Sequence, residues 1–271
     1  MNNELRVCIG GLGAIGLTLA RALDNGELPG LVLAAVSARD VEKASRNMAS
    51  FANPAPVVSL AKLAELGDVV VECAPAAVFR EVGEAAVRAG RIFLPISVGA
   101  LLQNMDLVDI ARETGARISV PTGALIGLDA VRAAAEGTIE SVTLVTRKPP
   151  LGLKGAPYLV ENNISVDGLN EPKRVFSGNA REGAVGFPAN VNVAAALSLA
   201  GIGPDETKLE IWADPDVDRN MHTITVEADS ARFSMSIENI PTEENPKTGK
   251  ITALSILAAL RRLTAPMVAG T

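Results

Sequence analysis

The chain has 271 residues, 48% of them hydrophobic and 21% charged, with a formal net charge of -6. That length suits one large domain or two modest ones, and the apolar share suffices for a buried core. The acidic balance, the scattered Lys and Arg, and only 3% aromatic residues argue against nucleic acid or an anionic membrane as a partner. No apolar stretch is long enough to span a bilayer, and the first strand begins too early to leave room for a signal peptide. A cytoplasmic protein is the expectation. Cys8 and Cys73 sit in apolar runs and read as small buried hydrophobes, with neither zinc nor redox spacing.

In chain order, Leu5 to Ile9 is a short apolar run that ends in Gly10-Gly11-Leu12-Gly13, and Ala14 to Leu23 reads as a helix. Leu31 to Val36 is a second strand and Val41 to Ala49 a second helix. Val57-Val58 and a short helix over Leu60 to Leu66 follow. Asp68 to Cys73 is a strand rich in β-branched residues, and Val78 to Ala89 is a helix closed by Gly90. Ile92 to Ile96, Met105 to Thr114 and Arg117 to Val120 predict strand, helix and strand. Strands alternating with helices predict parallel β-α-β units, and continuous apolar strands predict a sheet covered on both faces.

After Pro121 the pattern changes. Glu140 to Arg147, Leu209 to Ala213, Met221 to Ala228 and Arg232 to Glu238 alternate, as strands of a mixed sheet with one solvated face do. The prolines and glycines from Pro149 to Pro157 predict a loop. Ile251, Leu254, Leu257 and Ala258 share one face of a helix over Ile251 to Leu263, with Thr248 as a possible cap. The fold class expected is α/β: an N-terminal Rossmann doubly wound parallel sheet, plus a second α/β domain with a mixed sheet. The dinucleotide-binding domain is expected over 1–121 plus 245–271, and the substrate domain over 122–244.

Gly11-x-Gly13-x-x-Gly16 follows the first strand and opens the first helix. Gly11 permits the tight turn, Gly13 lets the backbone approach a pyrophosphate, and Gly16 allows close packing of helix on strand. The amides of Ala14 and Ile15, at the positive end of that helix, then face the anion. Past the second strand come Arg39 and Asp40. Either Arg39 meets a 2′-phosphate and Asp40 a ribose, or both simply begin the next helix. Both NAD and NADP remain open as cofactors.

His222 is the one histidine of the chain. It is either a proton carrier beside a hydride path or a half-exposed strand residue without a role. Asn190 and Asn192 punctuate an apolar stretch and read as ligand contacts or as helix caps. Lys247, Arg147 and Lys148 are candidates to hold a substrate carboxylate, or are solvated charges. No cluster has metal-ligand spacing, and no nucleophile elbow is present.

Together these segments resemble the L-aspartate dehydrogenase family over nearly the whole length. The resemblance rests on Gly11 to Gly16, Ser97 to Leu101, Gly123 to Asp129, Phe187 to Ala194, Asp214-Pro215 leading to Arg219-Asn220-Met221-His222, and Asn245-Pro246-Lys247-Thr248. It implies oxidation of L-aspartate to iminoaspartate with NAD or NADP as hydride acceptor. The imine then yields oxaloacetate and ammonia, or passes on towards quinolinate and NAD synthesis. It implies that His222 is catalytic, that Ala124 and Asn190 contact the cofactor, and that the enzyme is a homodimer. Two rivals share the glycine turn. One is another two-domain oxidoreductase, of the dihydrodipicolinate-reductase or homoserine-dehydrogenase kind; the other is a dinucleotide sensor without chemistry.

Overall fold

The computed structural model describes residues 4–188, 191–243 and 248–270. The chain divides into two compact units, Met1–Pro121 with Ala253–Val268 and Thr122–Thr252 with Ala269–Thr271.

In the first unit, β1 (Leu5–Gly10), α1 (Ala14–Asp24), β2 (Leu31–Ser37), α2 (Val41–Met48), α3 (Leu63–Leu66) and β3 (Val69–Glu72) follow one another. A 3-10 turn at Ala76–Val78 leads into α4 (Phe79–Arg88), then β4 (Ile92–Pro95), α5 (Val98–Leu101), α6 (Asp106–Thr114) and β5 (Arg117–Ile118). The five strands are parallel, in the order β2-β1-β3-β4-β5. This is the Rossmann-like sheet predicted from the alternating runs. Val7, Cys8, Ile9, Val69 and Val71 are fully buried, because helices cover both faces and no side of these strands meets water. The chain leaves β1 to one side for β2 and returns to the other for β3. The C-terminal ends of β1 and β3 therefore flank a topological switch point, where such sheets bind ligands.

Val57 makes an isolated bridge to Val36. Two local expectations need correction. The helix expected from Leu60 shrinks to α3, because i to i+3 bonds (Lys62 N to Ser59 O, Leu63 N to Leu60 O) tighten the preceding residues into turns. In the C-terminal helix, numbered α11 in chain order (Lys250–Arg262), the buried stripe is Ile256 and Leu260, which join the first unit's core. Leu254 is 57% exposed, although it was expected on the packed face. Apolar residues occur on several sides of this helix, so periodicity alone could not choose the stripe.

The second unit contains α7 (Leu128–Ala134), β6 (Ile139–Lys148), a 3-10 turn at Pro150–Gly152, α8 (Pro157–Glu161), β7 (Lys173–Asn179), α9 (Ala180–Gly186), α10 (Asn192–Ala200), β8 (Lys208–Ala213), β9 (Asn220–Ala228) and β10 (Arg232–Asn239). The sheet order is β10-β9-β6-β8-β7, with β6 and β8 parallel and the other neighbours antiparallel. The mixed sheet matches the expectation. Along β6 burial alternates, so Val142, Leu144, Thr146 and Lys148 point to the covered face. The loop expected from Pro149 to Pro157 contains the 3-10 turn at Pro150–Gly152, and Pro157 opens α8 at a position where its missing N–H costs nothing. α9 starts with a reciprocal capping box between Asn179 and Glu182. α11 begins at Lys250, two residues beyond Thr248, whose carbonyl accepts from Thr242 N in an antiparallel bridge.

Candidate active site

The three glycines of the first turn have separate jobs. Gly11 has φ +108, and a Cβ there would press on the backbone of Cys73 and Ala74, within 2.8 Å of Ala74 N. A Cβ on Gly16 would be driven into the Gly11 carbonyl. Gly13 is the opposite case, since nothing lies within 4 Å of its Cβ position. It is also the N-cap of α1, with no side-chain cap on the helix and no acidic residue in the first turn. The start of α1, with Ala14 and Ile15, thus offers uncapped amides beside open space, and these residues fit a diphosphate. Gly16→Val is expected to destabilise the first unit by about 3 kcal/mol or more, because the obstacle is backbone that cannot yield. A melting curve by circular dichroism checks this, and an unchanged midpoint would refute the packing account.

At the end of β2, the Asp40 carboxylate caps α2, accepting from Lys43 N at 2.9 Å. Arg39 is exposed beside it, with no ion pair or side-chain hydrogen bond among the described residues.

Sequence reading passed over Glu72. It closes β3, is fully buried, and stands in register between Gly10 of β1 and Pro95 of β4. Its Oε1 accepts from Ala74 N (2.9 Å) and Ser97 Oγ (3.0 Å), and its Oε2 from Ile96 N (3.2 Å) and Ser97 N (2.9 Å). Burial raises its pKa, and these four donors oppose the rise. The signal available in the sequence was a charged residue ending an otherwise apolar strand.

In the second unit His222 lies on β9, 2% exposed rather than half exposed. It faces Thr146 of β6 in register, and Nδ1 lies 3.0 Å from Thr146 Oγ1. Nε2 has no hydrogen-bond partner among the described residues. Lys148 follows two positions along β6 on the same face and is 6% exposed. Burial, and then the charge of Lys148, lower the His222 pKa to about 3, so the imidazole is neutral at physiological pH. Arg147, between Thr146 and Lys148, points to the other face. There it pairs with Asp214 at 2.8 Å and lies over the Trp212 ring, 4.9 Å from the centroid.

Ala124 lies in the Thr122–Leu125 turn, where its carbonyl accepts from Asn239 Nδ2 at 3.1 Å. Asn192 is exposed at the first position of α10. Asn190 and Lys247 lie outside the described residues, as do Asn245 and Pro246. Structure therefore brings together His222, Thr146 and Lys148 within the second unit, and Gly11, Gly13, Ala14, Ile15 and Gly16 within the first. Thr146, like Glu72, was not anticipated. Among the described residues no group of three or more His, Cys, Asp or Glu could hold a metal ion. No helix among them is long and apolar enough to cross a membrane.

Residues 11–121 match the family described as homoserine dehydrogenase, NAD binding domain. With the open glycine turn, that places the chain among the nicotinamide-dinucleotide-dependent oxidoreductases. Residues 129–263 match aspartate dehydrogenase, C-terminal. The L-aspartate dehydrogenase of Bradyrhizobium diazoefficiens is 59% identical over 270 residues, covering 100% of this chain and 95% of that one. L-aspartate dehydrogenase 3 of Bordetella bronchiseptica is 56% identical over 268 residues, covering 99% and 98%. The crystal structure of aspartate dehydrogenase from Thermotoga maritima shares the fold, with a TM-score of 0.75, 24% identity, and coverage of 98% and 99%. The chain belongs to the L-aspartate dehydrogenase family.

Proposed function

We propose that this protein oxidises L-aspartate at its α-carbon to iminoaspartate, which yields oxaloacetate and ammonia or feeds NAD synthesis. The observation that carries the reading is the buried, neutral His222 beside Lys148, in a chain of this family. We assign dinucleotide binding to the first unit and substrate chemistry to the second. The bound NAD or NADP supplies the hydride acceptor. Gly11, Gly13, Ala14, Ile15 and Gly16 form the turn that holds its diphosphate. Arg39, exposed past β2, is suited to a 2′-phosphate, which favours acceptance of NADP as well as NAD. Ala124 and Asn190 are further proposed cofactor contacts.

The protein's part in the chemistry follows from the tautomer. When Nδ1–H of His222 donates to Thr146 Oγ1, Nε2 keeps its lone pair. Nε2 then takes a proton from the substrate amine, releases it to solvent, and with its lone pair restored takes a second from the water that attacks the imine. Lys148, on the same face, attracts a substrate carboxylate. Arg147, on the opposite face from His222 and paired there with Asp214, stands behind Lys148 in rank. Asn192 and Lys247 complete the proposed substrate set. Family membership also supports a homodimer in the cytoplasm, tested by light scattering and cell fractionation.

The experiment is consumption of NADH or NADPH with oxaloacetate and ammonium. Turnover that requires both is expected. Dinucleotide binding with no turnover on any amino or oxo acid would favour a sensor instead.

A further inference from the structure

The carboxylate of Glu72 calls for an explanation that stability does not provide. A fully buried anion with no cationic partner among the described residues costs free energy even when hydrogen-bonded, and an apolar residue would close this strand more cheaply. Its four donors come from the segments that follow β3 and β4, the two strand exits on one side of the switch point. The first of those segments is the bed of the glycine turn. Gly11 rests against Cys73 and Ala74, Ala74 N is held by Glu72 Oε1, and Cys73 N donates to Gly10 O at 2.7 Å.

A dinucleotide that crosses at this point has its adenosine half on the β2 side, where the residue after the second strand meets the ribose. The other half lies on the β3 and β4 side, above the segments that Glu72 ties down. That half carries the nicotinamide, which is positively charged when oxidised and neutral when reduced. A fixed negative charge beneath it distinguishes the two forms, and in a poorly solvated place the distinction survives screening.

We propose that Glu72 is a positioning residue for the dinucleotide: it fixes the floor of the glycine turn, and its charge favours the oxidised over the reduced cofactor. The inference rests on the dinucleotide-binding reading above and adds a determinant of redox preference to it. Three of the four donors are backbone amides, which can give but not accept a proton, so the ionised form is the one this pocket suits.

The test is titration of the purified protein with NAD, NADH, NADP and NADPH, read by calorimetry rather than by turnover. Glu72→Gln removes the charge at constant size. It is expected to weaken the oxidised form more than the reduced one, raising the ratio of Kd for NAD to Kd for NADH roughly tenfold. Ser97→Ala removes one neutral donor and keeps the charge, so it should weaken both forms several-fold and leave the ratio unchanged. A residue that merely supports the fold would move both affinities together in Glu72→Gln, and that result would overturn the charge assignment. Where Glu72→Gln does not fold, Glu72→Asp and Ser97→Ala decide: wild-type affinity for both forms in either variant overturns the positioning role. Wild-type protein that binds no dinucleotide at all would instead overturn the underlying reading, and the two failures are separable.

Discussion

Replacing His222 with alanine is expected to lower turnover by about 10²- to 10⁴-fold, the usual value of a positioned general acid or base, while fold and dinucleotide affinity persist. The imidazole is one side chain on a buried sheet face, hydrogen-bonded only to Thr146 among the described residues, so its loss strands a single hydroxyl. That cost is about 1–3 kcal/mol, below the usual stability of a domain. Steady-state rates at saturating aspartate, with a thermal melt of the same sample, check both halves. Wild-type turnover in the variant would remove the assignment.

Acid stability offers a second view of the same residue. The folded-state pKa of His222, about 3, lies below its ordinary 6.5. The unfolded chain therefore binds a proton on His222 at a pH where the native protein does not. The stability tied to the neutral imidazole is complete above pH 6.5. It is lost as pH falls towards about 3, at up to about 1.4 kcal/mol per pH unit. The His222→Ala protein should lack that contribution, so its urea midpoint should fall less steeply than the wild type's between pH 6 and pH 4 or thereabouts. Parallel slopes would mean that the imidazole titrates normally and is not held neutral.

Gly13→Val is expected to abolish measurable dinucleotide binding, or weaken it by more than about a hundredfold, without unfolding the protein. Gly13 has φ -79 and ψ -166, an extended conformation open to any residue, and its Cβ direction is clear of protein atoms. The added isopropyl group thus meets only what approaches the start of α1 from outside. Surface substitutions of this sort change stability by roughly 0.5 kcal/mol or less. A variant with native melting behaviour and lost affinity locates the diphosphate at this turn. Unchanged affinity would mean that the phosphates sit elsewhere.

Much of this was legible because two periods and one turn carried it. The apolar runs that became β1 to β4 could be nothing but buried strands between helices, and Gly11, Gly13 and Gly16 stood where strand passes into helix. The shorter, alanine- and glycine-rich helices α9 and α10 gave no comparable contrast, since small residues pack without marking a face. Arg147 and Lys148 were indistinguishable as adjacent cations. Only the pairing of Thr146 with His222 across β6 and β9 puts Lys148 on the imidazole's face and Arg147 on the reverse. Glu72 was hidden for a different reason. Its partners are three backbone amides and one hydroxyl from chain segments that only the folded sheet brings together.

Ile256 and Leu260 pack in one cluster with Val7, Ile9 and Leu19. A ribosome delivers Val7, Ile9 and Leu19 long before Ile256 and Leu260. The first unit therefore cannot finish folding as it emerges; it must wait, with an open seam, until the whole second unit has been made. Removing α11 should accordingly register first as damage to the packing of β1 and α1.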